Sequence, residues 1–238
     1  MKTNDLTGDD IAAQPTSWSF SGDVAGKFDA HVRKSVPLYD KAHEIGLALS
    51  DFFVKPDTVV YDVGSSTGTF LRALSQRHSS KPVRYIGIDV IEEMVAYAAD
   101  HTCDSQIEFA CSDMLSHPME PASLVSSYFT MQFVDPAVRQ EYFNKVYETL
   151  SWGGGFLLFE KVRGPDARFQ DILSQVYDEY KLSEGYSPDE ICSKSRSLKG
   201  VMEPFSKAGN IELMERAGFK DIVTVFKFIC FEGFLAIK

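Results

Sequence analysis

The order of apolar and polar positions divides the chain into three parts. Residues 1–17 are polar, contain Pro15 and show no period, which predicts a flexible tail. From Trp18 the spacing turns helical. Val24, Phe28 and Val32 share one face, with Ser21 as N-cap, and Pro37 ends that helix. Leu38, Ala42, Ile45, Leu47, Leu49 and Phe52 mark a second helix. Short apolar runs then alternate with helical stretches. Strands are expected at 58–63, 84–89, 106–110, 123–129 and 155–161, with helices at about 68–77, 91–100 and 136–150. Strands separated by helices of this length mean βαβ units and a parallel sheet. Beyond residue 165 the pattern is helical over roughly 166–182, 188–200 and 204–217. Two β-rich segments follow, split by Glu232-Gly233, which predicts a terminal antiparallel hairpin.

The expectation is therefore an α/β, Rossmann-like domain over 18–238. It has a mostly parallel seven-stranded sheet, a helical lid at 18–54 and a helical insert at 165–217. A chain of 238 residues with 44% hydrophobic content and 18 Phe can bury a core of that size. The formal net charge of -10 disfavours direct contact with nucleic acid. The four cysteines show no metal-ligand spacing and are read as reduced thiols. There is no basic start followed by an apolar leader, and no run approaches the ~18 apolar residues of a membrane span. A cytoplasmic protein with no membrane partner is expected.

Candidate chemistry begins at "VVYDVGSSTG", residues 59–68, where a buried strand runs into a flexible turn beside Asp62. A dinucleotide loop would need glycine where this chain has Ser66 and Thr69, and the Walker lysine is absent. The loop suits a nucleoside without phosphates. Asp89 closes the next strand, where a carboxylate accepts ribose hydroxyls. Asp113, after the third strand, can accept an adenine amino group, with Met114 covering the ring. Ribose acid, adenine acid and a phosphate-free turn describe S-adenosylmethionine (SAM). "LSWGGGFLLFE" at 150–160 fits the same fold as a helix-to-strand turn. The five histidines are read as structural.

With these residues assembled, the chain resembles the carboxy-S-adenosylmethionine synthase family of the class I SAM-dependent methyltransferase superfamily. The resemblance runs from Trp18 to the C-terminus through "WSF", "RKSVPLY", "VYDVGSS", "YIGIDV", "FTMQFV", "GGGFLLFEK", "EGYSPDEI" and "AGF". Of the candidate SAM-binding residues, Tyr39, Gly64, Ser66, Asp89, Asp113 and Met114 fall on the family's ligand positions; Asp62, Ser65, Val90 and Tyr128 complete the candidate set, and the N-terminal helices carrying Arg33 and Tyr39 are expected to close as a lid. The resemblance implies a homodimer. It also implies formation of carboxy-SAM from SAM and prephenate, for modification of a tRNA wobble uridine. Two positions depart from the family. Its asparagine is Tyr128 here, and its arginine for the added carboxylate aligns with Ser195, with Arg196 one residue later. One step on a helix is a turn of about 100°.

The catalytic candidates are Tyr128, Tyr177 and Arg196. Phe133 and Tyr180 join them as candidates to line an aromatic pocket. Three readings stay open. In the first, the protein consumes SAM with a small molecule, by methyl transfer or by closing SAM's own amine onto its γ-carbon to give azetidine-2-carboxylate and methylthioadenosine. The second is carboxy-SAM synthesis using Arg196. The third is a non-catalytic SAM-binding module.

Overall fold

The computed structural model describes residues 5–8, 11–20 and 24–238. Two two-residue strands, β1 (Asp5–Leu6) and β2 (Ala12–Ala13), pair antiparallel. They lie in the stretch read from the sequence as a tail. Thr7 and Ile11 between them are buried, and the Thr7 hydroxyl donates to the Ile11 carbonyl at 2.8 Å. The sequence has too few residues there to show a period, and the order comes from tertiary contact with the helical insert, where Tyr186 packs on Gly8. Helix α1 (Ala25–Ser35) and helix α2 (Tyr39–Ser50) follow. The expected N-cap, Ser21, lies outside the described residues.

The body alternates as expected: β3 (Thr58–Val63), α3 (Thr69–Arg77), β4 (Val83–Asp89), α4 (Glu92–Asp100), β5 (Ile107–Cys111), β6 (Ala122–Tyr128), α5 (Arg139–Thr149) and β7 (Leu150–Lys161). The insert contributes α6 (Ala167–Ser183), α7 (Pro188–Ser197) and α8 (Lys207–Ala217). A capping box at Ser187 and Glu190, with Pro188 in the first turn, starts α7. Strands β8 (Asp221–Phe228) and β9 (Phe231–Ile237) end the chain.

The seven strands lie in the order β5-β4-β3-β6-β7-β9-β8, and β9 alone runs against its neighbours. Each central strand is apolar on both faces because both are covered. On one face Tyr61, Val63, Phe156 and Leu158 pack with Phe143 of α5 and Met214 of α8. On the other Val60, Leu157 and Phe159 pack with Ala42 of α2 and Leu71 and Leu74 of α3.

One element differs from the sequence reading. The hairpin turns at Ile229-Cys230, and Glu232-Gly233 lies inside β9, paired with Glu160 and Phe159. Gly233 is there for close packing: a Cβ at that position would collide with the Phe159 ring. Replacing Gly233 with Ala should therefore cost about 1–3 kcal/mol. Phe159→Leu in the same chain should recover part of that loss in urea unfolding. Equal losses in both backgrounds would contradict the packing assignment.

Candidate active site

The carboxyl ends of β3, β4, β6 and β7 open into one cavity of about 1330 Å³, closed from above by α1, α2, α6 and α7. Open α/β sheets bind ligands at this edge, where the crossover helices diverge. Its floor is built from the turn after β3. Gly64 has φ +74, and a side chain there would run into Thr130. The amides of Gly64 and Ser65 both donate to the Ile88 carbonyl, at 2.7 and 3.1 Å, which ties the turn to β4.

Asp89, at the end of β4, fixes two segments at once. Its carboxylate accepts from the Ser66 amide at 2.8 Å and from the Ile91 amide at 3.0 Å. Burial raises its carboxyl above the ordinary range, and the backbone donors oppose that rise. Each oxygen keeps a free lone-pair direction, so the group can still receive a diol. Asp113 is held in the same manner by the Leu115 amide and the Tyr142 hydroxyl, both at 2.7 Å. Met114 beside it is buried against the core.

Asp62 lies deeper. It is buried, lines the cavity and accepts from the Ser126 hydroxyl at 2.7 Å. Burial pushes its carboxyl up to about 7, against the hydrogen bond from Ser126. An amine of opposite charge is the partner such a group accepts best.

The aromatic candidates divide by role. Tyr128 stacks on Phe159 at 4.5 Å and tilts against Phe70 at 4.4 Å. Its hydroxyl donates to the Ala42 carbonyl at 3.4 Å, so it packs into the base of the lid while its edge faces the cavity. Tyr39 stands 4.3 Å from His43 and 6.0 Å from Phe129, all on the cavity wall. Tyr177 reaches from α6 to donate to the Ser35 carbonyl at 2.6 Å, joining insert to lid. Phe133 also lines the cavity, and Tyr180 stacks behind Tyr177 at 6.3 Å.

The structure brings Tyr39, Asp62, Gly64, Ser65, Ser66, Asp89, Val90, Asp113, Met114, Tyr128 and Tyr177 to the cavity. Arg196 is not brought there. It is exposed on α7 away from the cavity, and its backbone carbonyl accepts from Thr16, whereas Lys194 and the exposed Ser195 line the cavity. The one-residue offset puts the guanidinium on the wrong side of the helix. Arg33 points outward as well, to Asp40 at 3.0 Å.

Several residues in or around the cavity escaped the sequence reading. Asp29 of α1 accepts from Thr67 at 2.8 Å and Thr69 at 3.0 Å, and this latches the lid onto the loop before α3. Lys194 donates to Ser35 at 2.7 Å and meets His31 Nε2 at 2.6 Å. Lys161 reaches the wall beneath Tyr177. None belongs to a spaced motif, because each is brought in by the packing of the lid or insert. His43 is held neutral: burial lowers its pKa to about 4. Among the described residues no cluster of His, Cys, Asp and Glu could hold a metal, and no helix is long and apolar enough to cross a membrane.

Known proteins share this fold. Residues 60–154 match a family model described as a methyltransferase domain. The human N-acetylserotonin methyltransferase in complex with SAM superposes with a TM-score of 0.60 at 18% identity, over 84% of this chain and 52% of that one. A Haemonchus contortus phosphoethanolamine N-methyltransferase in complex with SAM gives 0.58 at 17% identity, over 84% and 52%. The chain spans about half the length of each. Sheet order and site together are those of the class I SAM-dependent methyltransferase fold, and the protein is a SAM-dependent enzyme. Relatives named carboxy-S-adenosyl-L-methionine synthase match nearly end to end. The one from Staphylococcus epidermidis is 37% identical, over 94% of this chain and 98% of its own. The one from Nautilia profundicola is 32% identical, over 93% and 94%. The chain belongs to the carboxy-S-adenosyl-L-methionine synthase family.

Two outcomes follow from this geometry. Asp89→Ala removes the acceptor of two backbone amides and of any diol, so SAM affinity should fall at least about 100-fold in calorimetry, two charged hydrogen bonds being worth about 3 kcal/mol or more. Unchanged affinity would refute the assignment. Asp62 has its folded pKa raised from 3.8 to about 7. The folded state therefore holds a proton that the unfolded chain has released, and this group stabilises the fold at acid pH and ceases to do so as pH rises through about 7. Urea midpoints should fall less between pH 5 and pH 8 in Asp62→Asn than in the parent protein, and an identical slope would contradict this.

Proposed function

We propose that the protein consumes SAM at its methionine arm, closing the amine onto the γ-carbon to give azetidine-2-carboxylate and methylthioadenosine. The observation that carries this reading is Ser195. It faces the cavity at the position where the family resemblance expects an arginine for a second carboxylate beside sulfur, and Arg196 faces away. A second carboxylate at that point would lack the fork of donors that an arginine supplies. Ring closure adds no anion beside the sulfur.

The reaction has modest needs. The amine nitrogen forms a bond to Cγ, the Cγ–S bond breaks with its pair going to sulfur, and the nitrogen loses a proton. Positive charge moves from sulfur to nitrogen within one small volume. Rings at Tyr39, Phe129 and Phe133 line the cavity, and aromatic surroundings favour such a cation. A lid and insert that hold the methionine arm folded would supply the conformation that ring closure requires, and restricting that freedom is itself a large rate effect. Asp62 is the acceptor for the amine's proton. Its carboxyl, raised to about 7, is far closer to an amine's range than an ordinary aspartate.

Carboxy-SAM synthesis is the second reading. The names of the relatives favour it, and so do Lys161 and Lys194, which put two cations on the cavity wall. A cytoplasmic homodimer belongs with either reading; the stripe of Phe169, Ile172 and Val176 exposed along α6 supports the pairing.

Incubation with SAM alone and mass analysis of the products is the test. Methylthioadenosine and a four-membered imino acid in equal amounts are expected. Carboxy-SAM appearing only when prephenate is added would establish the second reading. S-adenosylhomocysteine appearing with an added acceptor would mean methyl transfer. Tyr177→Phe should slow the native reaction about tenfold or more by loosening the insert from the lid.

A further inference from the structure

Lys161 ends β7 at the cavity, and neither the ribose and adenine carboxylates nor the ring-closing step uses it. Its backbone amide donates to Gln132 Oε1 at 2.9 Å, which fixes the strand end. By strand alternation its side chain shares the face of Leu157 and Phe159, below the insert. Its ammonium sits 4.5 Å from the centre of the Tyr177 ring.

Among the described residues no carboxylate lies within ion-pair distance of that ammonium. The charged and titratable groups around it are the Cys230 thiol, Lys181, Asp178 and Arg163. Asp178 is committed to Lys181, at 2.7 Å. Arg163 donates to the Pro204 carbonyl at 3.0 Å. Lys181 also stands over the Tyr177 ring, at 4.6 Å. The local balance is positive, in a chain whose formal net charge is -10. Enclosure disfavours the ammonium and lowers its pKa, and a ring face makes up only part of what water would give. A protein with carboxylates to spare has left this enclosed cation without one, on the wall of its ligand cavity.

We propose that Lys161, over the Tyr177 ring and beside Lys181, is a carboxylate-binding subsite of the cavity. The β7 strand lies two places from β3 in the sheet, about 10 Å along the edge that a methionine arm would follow. The carboxylate has two sources: the α-carboxylate of SAM's own methionine arm, or that of a second acidic substrate. The inference rests on SAM occupying this cavity and is independent of which product forms.

The test is a binding measurement and needs no turnover, so its failure is distinct from failure of the product assay. Lys161→Met keeps the length of the stem and removes the charge. Because the charge it removes is unpaired, the variant should melt at or above the parent temperature, which reports an intact fold. Calorimetry is then run with SAM, with decarboxylated SAM, and with prephenate added to the SAM-loaded protein. If the methionine arm supplies the carboxylate, SAM binds 10–100-fold more weakly to the variant and decarboxylated SAM binds equally to both proteins. If a second acid supplies it, SAM affinity is unchanged and the prephenate binding seen with the parent protein is lost. Any other pattern overturns the proposal, including equal loss for SAM and its decarboxylated form or no change for either carboxylate.

Discussion

The ligand end of this protein depends on one carboxylate held by two backbone amides. Asp89 draws the Ser66 amide from the first turn and the Ile91 amide from the start of α4 to a single point. Without it the turn after β3 and the turn after β4 have no common anchor, and the floor of the cavity loses its shape. The turn it anchors carries Ser66 and Thr69 where a dinucleotide loop has glycine, which disfavours a pyrophosphate. A cationic, phosphate-free adenosine is the ligand that this arrangement favours, and the SAM-dependent fold of the chain follows from it.

Above that floor the enclosure is made by contacts between elements far apart in sequence. Asp29 latches α1 to the loop at Thr67 and Thr69, and Tyr177 fastens α6 to the end of α1. Tyr128 fills the joint between β6 and α2, stacked on Phe159. Together they frame a space that contains a buried acid whose carboxyl is raised by burial, Asp62, and the ammonium of Lys161. Electrostatic effects gain weight in such a space.

The fold was legible in the sequence because its elements are strongly periodic. The runs at 59–63 and 155–160 are apolar on both faces, as central parallel strands must be, and the helices between them keep one apolar stripe. The hairpin was misplaced at Glu232-Gly233 because a glycine that makes room for Phe159 reads locally like a glycine that turns the chain. The strand pair near residues 5–13 left no signal, since two-residue strands have no period. The places of Gly64, Asp89 and Asp113 at or just beyond the ends of their strands were legible too. Lys161, Lys194 and Asp29 were not, because their positions are set by the insert and lid. Arg196 looked available only because a linear alignment does not show which way α7 is turned.

The fate of the SAM methyl group tests the central claim most directly. With SAM labelled by carbon-13 at that methyl, NMR of the reaction should show the label retained on sulfur as the methylthio signal of methylthioadenosine, with no other labelled species. Label appearing in a carboxymethyl group, or on a separate acceptor, would contradict the account.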